Sequence, residues 1–373
     1  MFSIFSWMID AQTKLEISKN LHTVFSDSIK DRIIMSLDDL FTGIDNGNMS
    51  INLIDNDNFD FNRNYFANLK EPGSKDTTEH YFKRRLINLY PVAPSSFMAT
   101  IACIGNNEIG KIFTILAKQE NDGIIFTGPI KYNTKYWKTK QIGTITYHYP
   151  DTINMEKAEI FNQKNNTMAL KLHLPVMDLE MYMCADYQEV LQLQGCCYDS
   201  DFNGMINTGG IVDPKTLFSV MKNEDFSHGI FHKYAANIRG KVINIAAEEG
   251  IAYVWGNAYH ADIHGRVPDQ PELVSALRQY IKAHPEVNLS DLFNENPDAL
   301  AEYGYPNPIS VKAVISGIIC GEVEKQKGMD GIFKLIKCGK GDENYFECIS
   351  TLLQINRKNF DEKVYELLFR KNG

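Results

Sequence analysis

Two histidines and a glutamate between residues 223 and 256 have the types and spacing of a zinc site. His228 and His232 are four residues apart, and the next predicted helix carries Glu248 and Glu249. Residues i and i+4 share one face of a helix, so the two imidazoles can occupy two corners of a tetrahedral site. A carboxylate from the second helix would complete a His₂Glu set and leave one position for water or substrate. The sequence therefore predicts a Zn²⁺ site at the two histidines and one glutamate of the second helix.

Two helices must position these side chains. Asn223 can cap the first, acidic residues follow in its first turn, and Gly240 can end it. The second helix is predicted over residues 244–256.

The order His-x-x-x-His and then Glu-Gly-Ile-Ala-Tyr (249–253) resembles the gluzincins, zinc peptidases of the MA-like group. That family carries H-E-x-x-H followed by E-G-[LI]-A, which implies Glu249, rather than Glu248, as the third ligand. It also implies a downstream His or Tyr that stabilises the oxyanion, and Tyr305 is the candidate, with Tyr303 nearby. A packing role for these tyrosines in a turn is the alternative.

Gly229 departs from the family pattern at the position of the catalytic base. The gluzincin residue after the first histidine is a glutamate that takes a proton from zinc-bound water, and such catalysis is worth about 10²–10⁴-fold. Three explanations are a pseudopeptidase that keeps zinc or a peptide groove, a relocated base such as Glu248 or Glu224, and a change unrelated to selection. We expect a metallopeptidase-like protein with lost or strongly reduced hydrolysis. The alternative is a pseudopeptidase that binds a peptide, glycan or protein without metal.

Two further motifs are open to more than one interpretation. His260 and His264 repeat the four-residue spacing, but no Glu-Gly pair follows them, which favours solvated or capping histidines. Gly209 and Gly210 precede the first zinc helix, where gluzincins present an edge strand to the substrate backbone; a simple bend is the alternative.

The N-terminal part predicts a helix followed by an antiparallel sheet. Apolar residues recur at helical spacing over 26–44, and strands are predicted at Phe97–Ile104, Lys111–Ala117 and Ile124–Ile130. This α+β order resembles the NTF2-like modules. We assign residues 20–141 to an accessory or binding module of this kind.

The second part, residues 142–373, is assigned to a gluzincin-like domain with a mixed sheet and a mainly helical C-terminal portion. Strands are predicted at 142–149, 168–174 and 179–184, and helices at 154–162 and 187–194. Strand patterns end near residue 225. The whole chain is thus predicted to be α+β.

Composition limits the class of partner and compartment. A net charge of −9 without long basic runs argues against nucleic acid, and no apolar run reaches the length of a membrane span. A peptide or protein is the expected ligand. Residues 1–11 are apolar and are interpreted as a truncated signal peptide of an exported protein, or else as the N-terminal arm of a cytoplasmic one. The seven cysteines lack zinc-finger spacing and are expected to be mostly buried.

Overall fold

The protein has an α+β fold, as the sequence predicts, with 47% of its residues in helices and 21% in strands. The computed structural model describes residues 15–57, 59–69, 82–105, 107–121, 123–202, 209–211, 213, 215–220 and 223–370. The predicted signal segment, residues 1–11, lies outside this part of the chain.

Strands dominate the first part of the chain and helices the last. The elements up to residue 149 are β1 (Glu16–Ile17), α1 (Asp27–Asp45), a 3₁₀ turn (Ile51–Leu53), α2 (Phe59–Ala67), β2 (Lys83–Ala93), β3 (Ser96–Gly105), β4 (Glu108–Glu120), β5 (Gly123–Thr127), α3 (Ile130–Asn133), β6 (Lys138–Ile142) and β7 (Ile145–Tyr149). The middle elements are α4 (Met155–Leu172), β8 (Leu179–Cys184), α5 (Tyr187–Leu193), β9 (Cys196–Asp199), β10 (Gly209–Ile211) and β11 (Thr216–Val220). The last elements are α6 (Ser227–Arg239), α7 (Ile245–Trp255), α8 (Gln270–Ala283), α9 (Leu289–Glu295), a 3₁₀ turn (Ala301–Tyr303), α10 (Val311–Ile336), α11 (Asp342–Leu353) and α12 (Phe360–Phe369).

The chain folds into two compact units. The first comprises residues 1–137, 184–207 and 212–216, and the second comprises 138–183, 208–211 and 217–373. The predicted boundary between 141 and 142 lies close to the start of the second unit. Residues 184–207 return to the first unit, so a single boundary in the sequence cannot separate the two units.

The first unit is built on a sheet in the order β1-β2-β3-β4-β5, with β9 also paired to β4. The long strand β4 shares one edge between two partners, because Lys111–Phe113 pair with β9 and Leu116–Glu120 pair with β5. Helix α1 buries the face predicted from its periodicity. Arg84 of β2 is buried and forms a two-pronged ion pair with Asp45 at the end of α1, at 2.7 and 2.8 Å.

The second unit combines a mixed sheet with a helical body. Its sheet has the order β10-β11-β8-β7-β6, and β7 and β8 are parallel because α4 connects them as a crossover helix. Helix α4 packs on α6, α6 on α7, and α7 along α10. Among the described residues no strand follows β11, which confirms the predicted helical C-terminal portion.

Several predicted elements were wrong in detail. The strand expected at 168–174 is the last part of α4, because Met168, Ala169 and Leu172 are buried at helical spacing. Gly143, with a φ of 58°, turns the chain after Ile142, so the strand predicted over 142–149 begins only at Ile145, and strand β6, which ends at Ile142, was not predicted. The helix predicted at 154–162 continues to Leu172.

Helices α7 and α10 come unusually close at Gly250. A Cβ on Gly250 would lie 2.7 Å from the backbone carbonyl carbon of Ser316, which is much less than a normal contact. Gly321, also on α10, has open space where its Cβ would be. The two glycines therefore have different roles, one in packing and one without a steric requirement.

We predict opposite effects of alanine at these two positions. Gly250→Ala forces α7 away from α10 and should lower the free energy of unfolding by about 1–3 kcal/mol. Gly321→Ala removes only the entropic penalty of glycine in a helix and should raise it by about 0.5–1 kcal/mol. Denaturant unfolding followed by the helical circular dichroism signal measures both. Equal stability of the two variants would contradict the close approach.

Candidate metal site

The predicted zinc ligands come from the two predicted helices. His228 and His232 lie one turn apart on α6, and Glu249 lies in the middle of α7. Asn244 caps α7 by accepting the backbone N–H of Ala247. Helix α6 begins later than expected: Asn223 does not cap it, and it starts at Ser227, whose N–H donates to the Asp225 carboxylate.

The three side chains converge on one point. The Nε2 atoms of His228 and His232 are 3.1 Å apart. Oxygens of Glu249 lie 3.5 Å from Nε2 of His228 and 3.2 Å from Nε2 of His232. They are the sole group of three His, Cys, Asp or Glu ligand atoms close enough to share a metal ion within the described residues.

These separations fit a tetrahedral zinc ion. Zinc binds histidine nitrogen and carboxylate oxygen at about 2.0–2.2 Å, which places two ligand atoms of a tetrahedron about 3.3–3.6 Å apart. The observed distances of 3.1, 3.2 and 3.5 Å lie at or just below this range. The donor set is also the His₂Glu set of catalytic zinc sites.

Hydrogen bonds on the far side of each imidazole orient both rings for metal binding. Nδ1 of His228 is 2.8 Å from the backbone carbonyl of Asn257, to which it can only donate. Nδ1 of His232 is 3.2 Å from Oε2 of Glu248. With a metal ion bound, a proton on each Nδ1 would leave both Nε2 lone pairs for the ion. Such outer contacts fix the tautomer and ring orientation in metal-binding histidines.

The surroundings shift the pKa values of the two histidines in opposite directions. Burial lowers the pKa of His228 to about 4, so its imidazole is neutral at physiological pH. Burial alone would also lower the pKa of His232, but hydrogen bonds to Glu248 and Glu249 outweigh it and raise the pKa to about 9. Burial opposes ionisation of Glu249, yet the hydrogen bond from His232 and the electrostatic interactions with the two imidazoles hold its pKa below the ordinary value.

Glu248 and Glu224, the two candidates for a relocated base, are both engaged in other contacts. The carboxylate of Glu248 is buried between His232 and Arg239, whose Nε is 2.5 Å away. Glu224 is also buried, and its Oε1 accepts the backbone N–H of Asn154. Glu248 thus orients a ligand from behind, and Glu224 supports the start of α4.

Phe226 occupies the space beside Gly229. A Cβ on Gly229 would lie 2.4 Å from Cε1 of the Phe226 ring, which excludes any side chain while the ring stays in place. The ring is 2% exposed and packs edge-on against Tyr259, with centroids 5.5 Å apart. Glycine at 229 and phenylalanine at 226 therefore form a matched pair.

The three ligands open into a pocket of about 520 Å³. Tyr253, Tyr259 and His260 line it, together with Gly210 of strand β10. Tyr253 accepts the backbone N–H of Ser310, and burial raises its pKa to about 12, so it remains a protonated donor at neutral pH. The pocket offers hydroxyl and imidazole groups but no carboxylate besides Glu249 among its described lining residues.

Tyr305 lies apart from this lining. Its hydroxyl is among the charged side chains of Arg266, Glu272 and Asp262. Its role in oxyanion stabilisation stays a prediction, and the same holds for Tyr303. Of the second histidine pair, His260 lines the pocket and His264 does not.

Sequence reasoning missed four residues that shape the site. Tyr253 had a usable signal, because it lies four residues after Glu249 on the same helical face. Phe226 had none, since its importance comes from the ring position over Gly229. Arg239 meets Glu248 only through helix packing, and Asn257 acts through its backbone carbonyl.

Comparisons with known proteins add no family to this geometry, since neither the family models nor the curated proteins give a match to the chain. None of the described helices has the length and apolar character needed to cross a membrane.

We predict that Glu248→Gln weakens zinc binding about 10–100-fold, because the carboxylate behind a metal-bound histidine raises its basicity and fixes its orientation. Competition with a chromophoric chelator measures the affinity. Glu224→Gln is the matched control: it changes another buried glutamate that touches no ligand, and it should leave zinc affinity unchanged. Equal affinities for the two variants would show that Glu248 does not support a metal site.

Proposed function

We propose that the second unit is a gluzincin-like, zinc-binding metallopeptidase domain whose peptide hydrolysis is lost or strongly reduced. The observation that carries the proposal is the convergence of His228, His232 and Glu249 with ligand-atom separations of 3.1–3.5 Å. The contacts of the two Nδ1 atoms with the Asn257 carbonyl and the Glu248 carboxylate support it further.

The expected ligand is an extended peptide. Strand β10 stands at the end of its sheet and pairs with β11 on one side, and Gly210 lines the pocket. An edge strand beside a metal site can pair with a peptide backbone and present one of its carbonyl groups to the site. The aromatic lining, with Phe226 and Tyr259, would receive an apolar side chain.

The protein's own residues supply only part of the chemistry of hydrolysis. A bound zinc ion would polarise a carbonyl and lower the pKa of a bound water. His228, His232 and Glu249 would hold the ion, and the Tyr253 hydroxyl can donate a hydrogen bond to a substrate oxygen in the pocket. Gly229 has no side chain that could take the proton from water or pass it to the leaving amine. We therefore expect the pocket to bind a peptide but to hydrolyse it slowly or not at all.

A metal-free binding protein is the second candidate, and the charge balance at His232 favours it. A protonated His232 satisfies Glu248 and Glu249 without a cation. In that case the pocket binds a peptide, glycan or protein through its aromatic and polar groups alone.

Elemental analysis of the purified protein separates the two candidates. We expect about one zinc per chain, lost in His228→Ala and retained in His264→Ala, the matched histidine outside the pocket lining. Peptide hydrolysis of the wild-type protein should be undetectable or at least about 10²-fold below that of an intact peptidase. Absence of zinc after purification and zinc reconstitution overturns the metal proposal, and rapid hydrolysis overturns the loss of activity.

We predict that restoring the base requires two substitutions. Gly229→Glu alone should destabilise the second unit and stay inactive, because its Cβ collides with the buried Phe226 ring. Phe226→Ala with Gly229→Glu opens space for the carboxylate and should raise zinc-dependent hydrolysis of a fluorogenic peptide library by about 10²–10⁴-fold over Phe226→Ala alone.

The Phe226→Ala single variant controls for the cavity itself. Full activity of Gly229→Glu without the second change would contradict the steric argument. A folded, zinc-bound double variant without activity would show that more than the base is missing.

A further inference from the structure

The first unit contains a cavity of about 400 Å³ that has no part in the metal chemistry. It lies between helix α2, helix α5 and the strand pair β4–β9. Its volume falls in the range of about 300–1,000 Å³ that is typical of pockets for small molecules.

The lining residues of helices α2 and α5 recur at helical spacing, so they lie on the side of each helix that faces the cavity. Phe61, Asn64 and Tyr65 fall at i, i+3 and i+4 of α2 and so share one helical face, and Asn68 follows in the turn after the helix. On α5, Tyr187, Leu191 and Gln194 repeat the same spacing up to the residue that ends the helix. Each of these two helices thus presents one face to the cavity.

The floor combines apolar and polar groups in two cross-strand pairs. Phe113 lies opposite Cys196, and Lys111 lies opposite Asp199. Both members of the first pair are buried, and burial raises the pKa of the Cys196 thiol to about 11, so it is uncharged at neutral pH. Nζ of Lys111 is 3.0 Å from Oδ2 of Asp199.

The Lys111–Asp199 pair gives the cavity zero net charge while leaving it polar at one end. Asp199 is 8% exposed, and its other oxygen accepts the backbone N–H of Asp201. Lys111 uses one of its three N–H donors on Asp199, which leaves hydrogens for a ligand acceptor. Burying a lone charge beside an already compensated pair is costly, so a singly charged ligand is disfavoured.

Aromatic rings form most of the remaining wall. Phe61 and Tyr65 lie parallel with centroids 6.3 Å apart, and Phe202 stands edge-on to Tyr187 at 6.4 Å. Phe202 is 40% exposed, which leaves an apolar ring open to solvent beside the cavity. Parallel and edge-on rings favour a flat apolar ligand.

We propose that this cavity binds a small uncharged molecule with a flat aromatic body and one hydrogen-bonding group, which contacts the Lys111–Asp199 pair. The site is independent of the metal centre and of the peptidase-like function of the second unit.

Fluorescent dyes test the ligand class directly on the full chain. Aminoanthracene is a neutral, flat arene with a single amine, and anthracene sulfonate has the same flat ring system with an anionic group. We expect the neutral dye to bind at one site and at least about tenfold more tightly than the anion.

Leu191→Trp tests the location, because an indole on α5 would fill the cavity. It should weaken binding of aminoanthracene at least about tenfold. Leu170→Trp is the matched control, since Leu170 is 78% exposed on α4, and it should leave dye binding unchanged. Equal binding by all three proteins would overturn the site.

Asp199→Asn tests the charge argument. Removing the carboxylate leaves the Lys111 ammonium uncompensated, so the preference for the neutral dye should fall about tenfold in favour of the anion. Thermal unfolding verifies that each variant is folded, and the Leu191→Trp result stands without this one if Asp199→Asn fails to fold. An unchanged preference in a folded Asp199→Asn protein would overturn the role of the ion pair.

Discussion

The close approach of α7 to its neighbours at two glycines is the constraint on which the candidate metal site depends. Gly250 meets the backbone of Ser316 on α10, and a Cβ on Gly256 would lie 2.7 Å from the backbone nitrogen of His228. At the other end of α7, Asn244 donates to the carbonyls of Gly339 and Gly341. Backbone contacts therefore fix where Glu249 points, and a rigid helix is the support that a preorganised ligand needs.

Buried charge is the second feature of the site, and it is balanced locally. Two carboxylates, Glu248 and Glu249, lie near the guanidinium of Arg239 and two imidazoles. Buried ionised groups persist only when they are paired and hydrogen-bonded. Because Arg239 already compensates Glu248, the remaining charge of Glu249 is directed at the point where the two Nε2 atoms meet. A divalent cation at this position would replace the Nε2 proton of His232 and would meet one carboxylate and two imidazole lone pairs, a donor set that suits zinc.

Local patterns predicted the elements that carry the ligands but not the contacts between elements. The helical spacing of His228 and His232 placed both on one face, and the helix at 244–256 was confirmed. Strand β9 was missed because a four-residue strand has little periodicity, and its pairing with β4 bridges a large gap in sequence. The cavity of the first unit escaped notice for the same reason, since its walls come from segments far apart in the chain. A face shared within one helix can be predicted from spacing, whereas a pocket between elements needs the packing.

The contact between Gly229 and Phe226 gives a physical reason for glycine at position 229. Glycine inside a helix costs about 0.5–1 kcal/mol relative to alanine, whereas burying a phenylalanine side chain contributes about 1.5–3 kcal/mol. Any side chain at 229 would displace the ring and forfeit that burial, so glycine is the residue that local packing favours. With Phe226 present, glycine at 229 gives the more stable protein, because it leaves room for the buried ring. A glutamate at position 229 would therefore also need a smaller residue at position 226, so a single substitution cannot place a carboxylate there without displacing the ring.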